Sequence, residues 1–193
     1  GGDAAAAGQL ALKARTVPPQ LLTSIAVALR DGNTRVRAEA INLAILLGPY
    51  ACVGSSEPCA QIGNALVDNI NARESEMRRA AMQALGQLGY PNAVQALSDQ
   101  LSYRQTGPEA LAALEGLAGI GHPTSVSIFE QSLASSNADV RRLAVEGLAR
   151  AGHRESLPAL QQMGQSERAS SVLLAIHYAN VKLGHVESSL QQL

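Results

Sequence analysis

The stretch NADVRRLAVEGLARAG, which runs from Asn137 to Gly152, decides the fold of this 193-residue chain. Small or apolar residues recur along it at helical spacing: Val140, Ala144, Leu148 and Ala151. Residues three or four positions apart lie on one side of a helix, and a final glycine adopts a left-handed conformation without a clash of a Cβ atom. The stretch therefore predicts an amphipathic helix that is capped at Gly152.

The same pattern recurs along the chain, in five segments that end at a glycine: Gly48, Gly89, Gly121, Gly152 and Gly184. The steps between these glycines are 41, 32, 31 and 32 residues, and a loop with two cysteines accounts for the longer first step. After each glycine a turn and a second, shorter amphipathic segment follow. A unit of two helices, about fifteen and about eleven residues long, buries its apolar face only against its neighbours.

We therefore predict one all-α domain over residues 1–193, a solenoid of about five helical hairpins after a partial leading one. The repeats are expected at 4–30 (the partial one), 34–71 with a cysteine loop at 49–59, 74–103, 107–134, 137–165 and 168–193. The chain begins without Met and ends in a segment that still carries Leu190 and Leu193. We expect a processed product or an excised domain, with either more repeats or an oligomer contact at its C-terminal end.

Composition supports helices and argues against several classes of partner. The chain has 33 Ala and 26 Leu but a single Phe and no Trp, which favours helices over a β-sandwich. With 15 basic and 16 acidic side chains the net charge is -1, so the electrostatic attraction that supports nucleic-acid binding is missing. No apolar run approaches the roughly 18 residues that a membrane span needs.

Cys52 and Cys59, the only two cysteines, lie seven positions apart in the first loop. A close pair in a loop is typical of a disulfide, although two reduced thiols are the alternative that the spacing leaves open. A disulfide predicts a periplasmic or secreted protein, and reduced thiols predict a cytoplasmic one. No metal site is expected, because His122, His153 and His185 each follow the glycine of a different repeat and so lie too far apart for joint ligation. His177 falls in a column of apolar residues and is expected in the core or as an end cap.

Three copies of a short arginine-containing motif carry a resemblance to a known family: Val36-Arg37, Met77-Arg78-Arg79 and Asp139-Val140-Arg141-Arg142. Together with the alanine-rich stripes and the Leu-Gly endings, these motifs resemble HEAT repeats over roughly residues 34–193. The short repeat length is similar to a bacterial subtype that was named after phycobilisome lyase subunits. The resemblance implies a right-handed α-solenoid whose second helices line a concave surface for protein binding. Arg37, Arg78 and Arg141 are expected to pair with acids of the stack, such as Glu39, Glu76 and Asp139.

On this surface the second helices carry polar side chains opposite their apolar stripe, and we predict that they bind a protein or peptide partner. The candidate residues are Asn64, Val67, Asp68, Asn92, Gln95, Asp99, Thr124, Ser127, Gln131, Glu155 and Gln162. An ordinary solvated face is the alternative. Tyr50, Tyr90 and Tyr103 are the aromatic anchors near the turns.

No catalytic residue and no cofactor is predicted. The chain has no Gly-x-Ser-x-Gly motif and no glycine-rich phosphate loop, since its recurring glycines are spaced as helix caps. We therefore expect a non-catalytic scaffold or adaptor. The alternatives are a bilin lyase or its chaperone subunit, whose chemistry is mostly positioning, and a structural spacer within a larger protein.

Overall fold

The structure is a computed structural model that describes residues 17–52 and 56–184, and the regular elements in these ranges are all helical. The α-helices follow in this order: α1 (Pro19–Ala28), α2 (Thr34–Leu47), α3 (Ser56–Asn69), α4 (Ser75–Leu88), α5 (Val94–Arg104), α6 (Pro108–Ile120), α7 (Val126–Ser132), α8 (Ala138–Ala151), α9 (Leu157–Ser166) and α10 (Ser170–Gly184). None of these described helices is long and apolar enough to cross a bilayer.

A short 3-10 helix precedes each second helix that follows a repeat glycine. These helices span Gly48–Cys52, Pro91–Ala93, Pro123–Ser125 and Arg154–Ser156. Two of them begin with proline, which is favourable in a first helical turn because its missing N–H has no partner there. The second helices are less uniform than the sequence predicts, since α7 has only seven residues whereas α5 has eleven.

The described residues divide into two compact units, with the boundary between Tyr90 and Pro91. In the first unit α2 packs against α4, while α1 packs against α3 and α3 against α4. The 3-10 helix Gly48–Cys52 contacts α2, α3 and α4, so part of the predicted irregular cysteine loop is regular and packed. One continuous domain over residues 1–193 stays a prediction.

In the second unit the first helices of successive repeats lie side by side, α6 against α8 and α8 against α10. Each second helix packs on the first helix that follows it, so that α5 contacts α6, α7 contacts α8 and α9 contacts α10. Leu97, Phe129 and Leu160 are the fully buried centres of the three second helices. Stacked helical pairs with an aliphatic core confirm the predicted all-α, solenoid-type fold.

The capping glycines behave as predicted at Gly89, Gly121 and Gly152, whose φ angles are 67°, 62° and 71°. Gly48 has a φ of 51° but a ψ of -137°, which is not left-handed helical, because the chain continues there into a 3-10 helix. Gly184 is still part of α10. The left-handed cap is therefore a property of the middle repeats.

Of the two placements expected for His177, the core and an end cap, the structure excludes the core. The residues of its column, Ile41, Met82, Leu114 and Val145, are buried, but His177 is exposed on α10. Within the described residues no helix pair follows α10 to cover that column. His177 is thus not a core histidine.

Candidate functional site

The exposed side of the second helices is set by the positions of their buried centres. Asp99, Gln131 and Gln162 each lie two residues after the buried centres of α5, α7 and α9, and all three are exposed. Two residues correspond to about 200° around a helix. The second unit therefore presents a column of one carboxylate and two amides on the side opposite its core.

The structure places nearly all of the predicted surface residues in solvent. The exposed ones are Asn92, Gln95, Asp99, Thr124, Ser127, Gln131, Glu155 and Gln162 in the second unit, and Asn64 and Asp68 in the first. Val67 is half-buried, because Asp68 and not Val67 lies two residues after the buried Leu66 of α3. Their binding role stays a prediction.

Several of these side chains are held by local hydrogen bonds. Gln95 Nε2 donates to Asp99 Oδ1 at 2.8 Å, one turn along α5. Thr124 Oγ1 lies 2.9 Å from His122 Nδ1, within hydrogen-bond distance. These bonds restrict rotamers in the free protein, which lowers the entropy that ordering these side chains would cost on binding.

Tyr90 is not the surface anchor that we expected. It is 5% exposed, and its ring lies against Gly63, where a Cβ atom would come within 2.5 Å of the ring. Its hydroxyl donates to Asn64 Oδ1 at 2.9 Å, so the buried Tyr90 orients the exposed side chain of Asn64. Tyr50 and Tyr103 are exposed, at 48% and 79%.

The turn histidines satisfy the polar groups of their own turns. His122 caps the 3-10 helix Pro123–Ser125 and accepts from Thr124 N. His153 Nδ1 lies 2.8 Å from Ser156 Oγ and 3.8 Å from Glu130 of α7. In the described part of the chain no three His, Cys, Asp or Glu residues are grouped as a metal site would require. His185 lies outside the described residues.

The recurring arginines have the structural role that we expected, with different partners. Arg37, Arg78 and Arg141 each donate from one guanidinium nitrogen to two backbone carbonyls in the loop before their helix, at 2.7 to 3.3 Å. The acceptors lie six and five residues earlier: Asp31 and Gly32, Ala72 and Arg73, and Ser135 and Ser136. These carbonyls, and not the expected acids, are the partners that the three copies share. Such charge-assisted bonds satisfy carbonyls that follow a helix end.

Arg141 has a further partner that the sequence analysis missed. Its Nε and Nη2 donate to the two carboxylate oxygens of Glu167 at 2.8 and 2.9 Å, which ties α8 to the loop before α10. The same carboxylate accepts from the backbone N–H groups of Arg168 and Ala169. The bond from Arg141, helped by these N–H groups, lowers the pKa of Glu167 to about 2. Only packing reveals the pair, because 26 positions separate its members.

Repeat 3, formed by α6 and α7, lacks the arginine and closes differently. Arg104 at the end of α5 lies 2.8 Å from Glu109 at the start of α6. Further along α6, burial raises the pKa of Glu115; the nearby charge of Arg142 lowers it and that of Glu146 raises it. Glu115, Arg142 and Glu146 lie on first helices and do not belong to the second-helix surface.

Two predictions concern residues at the edge of the described chain. Cys59 is buried at 9% exposure at the start of α3, whereas the side chain of Cys52 lies outside the described residues. The disulfide between them stays a prediction, and with it the compartment. The predicted oligomer contact at the C-terminal end also stays a prediction, because residues 185–193 lie outside the described range.

Comparisons with known proteins agree with this architecture. Residues 108–179 match the family model of HEAT repeats, and residues 77–103 match that of the PBS lyase HEAT-like repeat. No curated protein matches the chain significantly.

Solved structures with a similar fold include a lyase complex and designed proteins. The chain is similar to a chain of the CpcE–CpcF complex of phycocyanin lyase from Nostoc sp. PCC7120, with a TM-score of 0.58 and 21% identity, over 87% of this chain but only 65% of that one. It is also similar to a designed armadillo repeat protein in complex with the peptide (KR)4, with a TM-score of 0.57, 18% identity, and coverage of 84% and 81%. An engineered protein gives a TM-score of 0.54 at 16% identity, with coverage of 89% and 86%. At these identities the likeness shows the fold alone.

Proposed function

This chain is a HEAT-repeat protein with a repeat of the PBS-lyase-like type, and we propose that it is a non-catalytic scaffold that binds a polypeptide segment along its second helices. The observation that carries the proposal is the exposed column of Asp99, Gln131 and Gln162 in the second unit. Packed helices are about 8 to 10 Å apart, a distance that an extended chain covers with about three residues. Amides in such a column suit the N–H and C=O groups of an extended backbone.

The charge of this surface favours a basic or polar partner. Asp99, Glu130 and Glu155 are exposed acids on α5, on α7 and in the turn before α9. Exposed acids attract Lys and Arg and repel phosphate, so they bias the choice of partner more than they add affinity. The likeness to a designed repeat protein in complex with (KR)4 is consistent with this preference.

Binding of a labelled peptide tests the proposal directly. The probe is a fluorescein-labelled dodecapeptide of alternating Lys and Ser, and its acidic counterpart has Glu in place of Lys. We expect the basic peptide to bind more tightly by fluorescence anisotropy, and the substitution Asp99→Lys to weaken it about tenfold.

The matched control is Asp139→Lys, which changes the net charge equally but on α8, a first helix. We expect this control to lower affinity much less, because its charge lies off the second-helix surface. Equal losses for the two variants, or equal binding of the basic and acidic peptides, would contradict the proposal.

A second candidate function is a subunit of a chromophore lyase, which the likeness to phycocyanin lyase and the PBS-lyase-like repeat favour. Incubation of the protein with phycocyanobilin, followed by absorbance and gel filtration, tests this candidate. A bilin that co-elutes with the protein with a shifted spectrum supports it, and an unchanged spectrum in the bilin fractions contradicts it.

A further inference from the structure

A cavity of about 790 Å³ lies in the second unit, between the C-terminal ends of α5 and α7. Its wall is formed largely by half-buried aliphatic side chains from four helices: Leu101, Leu111, Ile128 and Val140. Aliphatic groups that face one another across a concave volume are typical of binding pockets.

The cavity lies where repeat 3 departs from the others. Its second helix, α7, ends at Ser132 after seven residues, whereas α5 and α9 have eleven and ten. The loop that follows, residues 133–137, contributes Ser135, Ser136 and Asn137 to the lining of the cavity. On the other side, Gly107 with a φ of 91° stands at the N-cap of α6, the place that Asn33 and Asn137 take before α2 and α8.

The chemistry of the lining selects an uncharged occupant. None of the described residues that line the cavity carries a charge, and its rim is made of hydroxyls and amides, among them Ser102, Gln131 and Ser136. Moving a charged group from water to such a wall costs free energy unless a partner compensates the charge. Burying an apolar side chain there is favourable in proportion to the area that is buried. Asp99 and Glu130, on α5 and α7, are not among the lining residues.

The cavity is continuous with the surface described above, since Gln131 belongs to both. Asp99 and Ser102 are three residues apart on α5 and therefore lie on one side of that helix. A chain that follows the column along the second helices thus passes the mouth of the cavity. Its volume lies within the range of about 300 to 1,000 Å³ that is typical of binding pockets.

We propose that this cavity receives one large uncharged side chain, aromatic or long aliphatic, of the polypeptide that lies along the second helices. The inference rests on the proposed scaffold function and names what its partner carries: a bulky apolar residue flanked by Lys or Arg. The rim hydroxyls and amides bond the backbone of the partner on either side of that residue. Repeat 3 thereby supplies the specificity that a uniform polar surface lacks.

A guest-residue peptide series tests the inference. The probes are labelled peptides of the form Ser-Lys-Ser-X-Ser-Lys-Ser, with Phe, Leu, Ala or Asp at X, and affinity is measured by fluorescence anisotropy. We expect the Phe and Leu peptides to bind about tenfold more tightly than the Ala peptide, and the Asp peptide to bind most weakly.

Cavity-filling variants locate the effect. Ser136→Phe places a ring into the cavity from its rim, and Ser102→Phe does so from α5, which covers the case in which one variant fails to fold. Each should abolish the preference for Phe over Ala, whereas the loss of its rim hydroxyl weakens the Phe and Ala peptides alike and leaves the ratio of their affinities unaffected. Ser136→Ala, the matched control, should keep the preference.

The outcomes separate this inference from the scaffold proposal. Equal affinities of the Phe and Ala peptides for the unaltered protein overturn the cavity inference but leave the scaffold proposal in place. A preference for Phe that survives both cavity-filling variants also overturns it, because the apolar residue then binds elsewhere. Absence of binding by all peptides, with no shift of the Ile128 methyl signals in NMR spectra, overturns both.

Discussion

Repeats 3 and 4 are both pairs of helices, but they differ in the cap of the first helix, in the recurring arginine and in the length of the second helix. In repeat 4, formed by α8 and α9, Asn137 caps the first helix, and Arg141 joins the preceding loop to Glu167, which directly follows α9. Repeat 3 has Gly107 at the cap, no equivalent arginine, and a second helix of seven residues. The repeat that departs from the pattern is thus the one that borders an open volume with an uncharged lining.

The largest loss of stability is expected from a substitution at the contact between repeats 3 and 4. Phe129 of α7 is fully buried, and its ring lies so close to Gly147 of α8 that a Cβ atom there would be 2.6 Å away. Phe129→Ala should therefore lower the free energy of unfolding by about 3 to 5 kcal/mol, as measured by urea denaturation.

The matched control for this variant is Ile128→Ala, which removes a half-buried side chain of the same helix and should cost clearly less. If the two substitutions were equally costly, α7 would not be anchored through its ring. The double variant Phe129→Ala, Gly147→Ala should be less destabilised than the sum of its parts, because the cavity accepts the added methyl group.

The next effect distinguishes the two capping glycines. Both Gly121 and Gly152 have left-handed φ angles, so alanine costs about 1 to 2 kcal/mol at either position. At Gly121 a Cβ atom would also lie 2.4 Å from Arg150 Cβ and 2.9 Å from Arg150 C, whereas nothing lies within 4 Å at Gly152. Thermal unfolding should show Gly121→Ala below Gly152→Ala in Tm, and the reverse order would contradict the packing of α6 on α8.

The ion pair between Arg141 and Glu167 predicts that the stability of the protein depends on pH. The pKa of Glu167 is about 2 in the folded chain, below its ordinary value of 4.5, so its contribution is present above pH 4.5 and is lost as the pH falls toward 2. Glu167→Gln should flatten the curve of Tm against pH in this window and leave its shape unchanged above it.

The control for this prediction is Glu155→Gln, an exposed carboxylate of the same repeat, which should keep the acid-side slope. A slope that persisted in Glu167→Gln would assign the acid sensitivity to other carboxylates.

The smallest expected effect comes from converting one cap into the other. The side chain of Asn137 accepts from Asp139 N at 2.9 Å, so Asn137→Ala should cost about 1 kcal/mol, whereas Asn137→Gly, which imitates repeat 3, should cost only a few tenths. Urea denaturation of the two variants measures the difference. Equal losses would show that the cap contributes little to repeat 4.

The sequence predicted the helices because their signals are local. Spacing of Ala and Leu, together with glycines such as Gly121 and Gly152, is enough to mark where a first helix runs and ends. What it missed depends on packing between elements. Tyr90 looked like a surface anchor until its contact with Gly63 was visible, and Glu167 showed no sign of the bond that Arg141 makes over 26 positions.

The candidate surface was predictable for a related reason. An exposed residue two positions after a buried one follows from helix geometry, which placed Asp99, Gln131 and Gln162 correctly in solvent. Val67 was misplaced by one position because repeat 1 contains extra residues that blur its register. The cavity at repeat 3 was not predicted, since no residue pattern in the sequence marks the early end of α7.

Arg141 bonds both to the loop before its own helix and to Glu167 after the next helix, and this limits how the repeats of this chain can be recombined. A graft that moves residues 137–165 into another protein would leave behind Ser135 and Ser136, whose carbonyls the guanidinium holds, and Glu167, which accepts from its other nitrogens. The smallest transplantable module is therefore residues 135–169, with its seams placed in the neighbouring repeats rather than at the glycines.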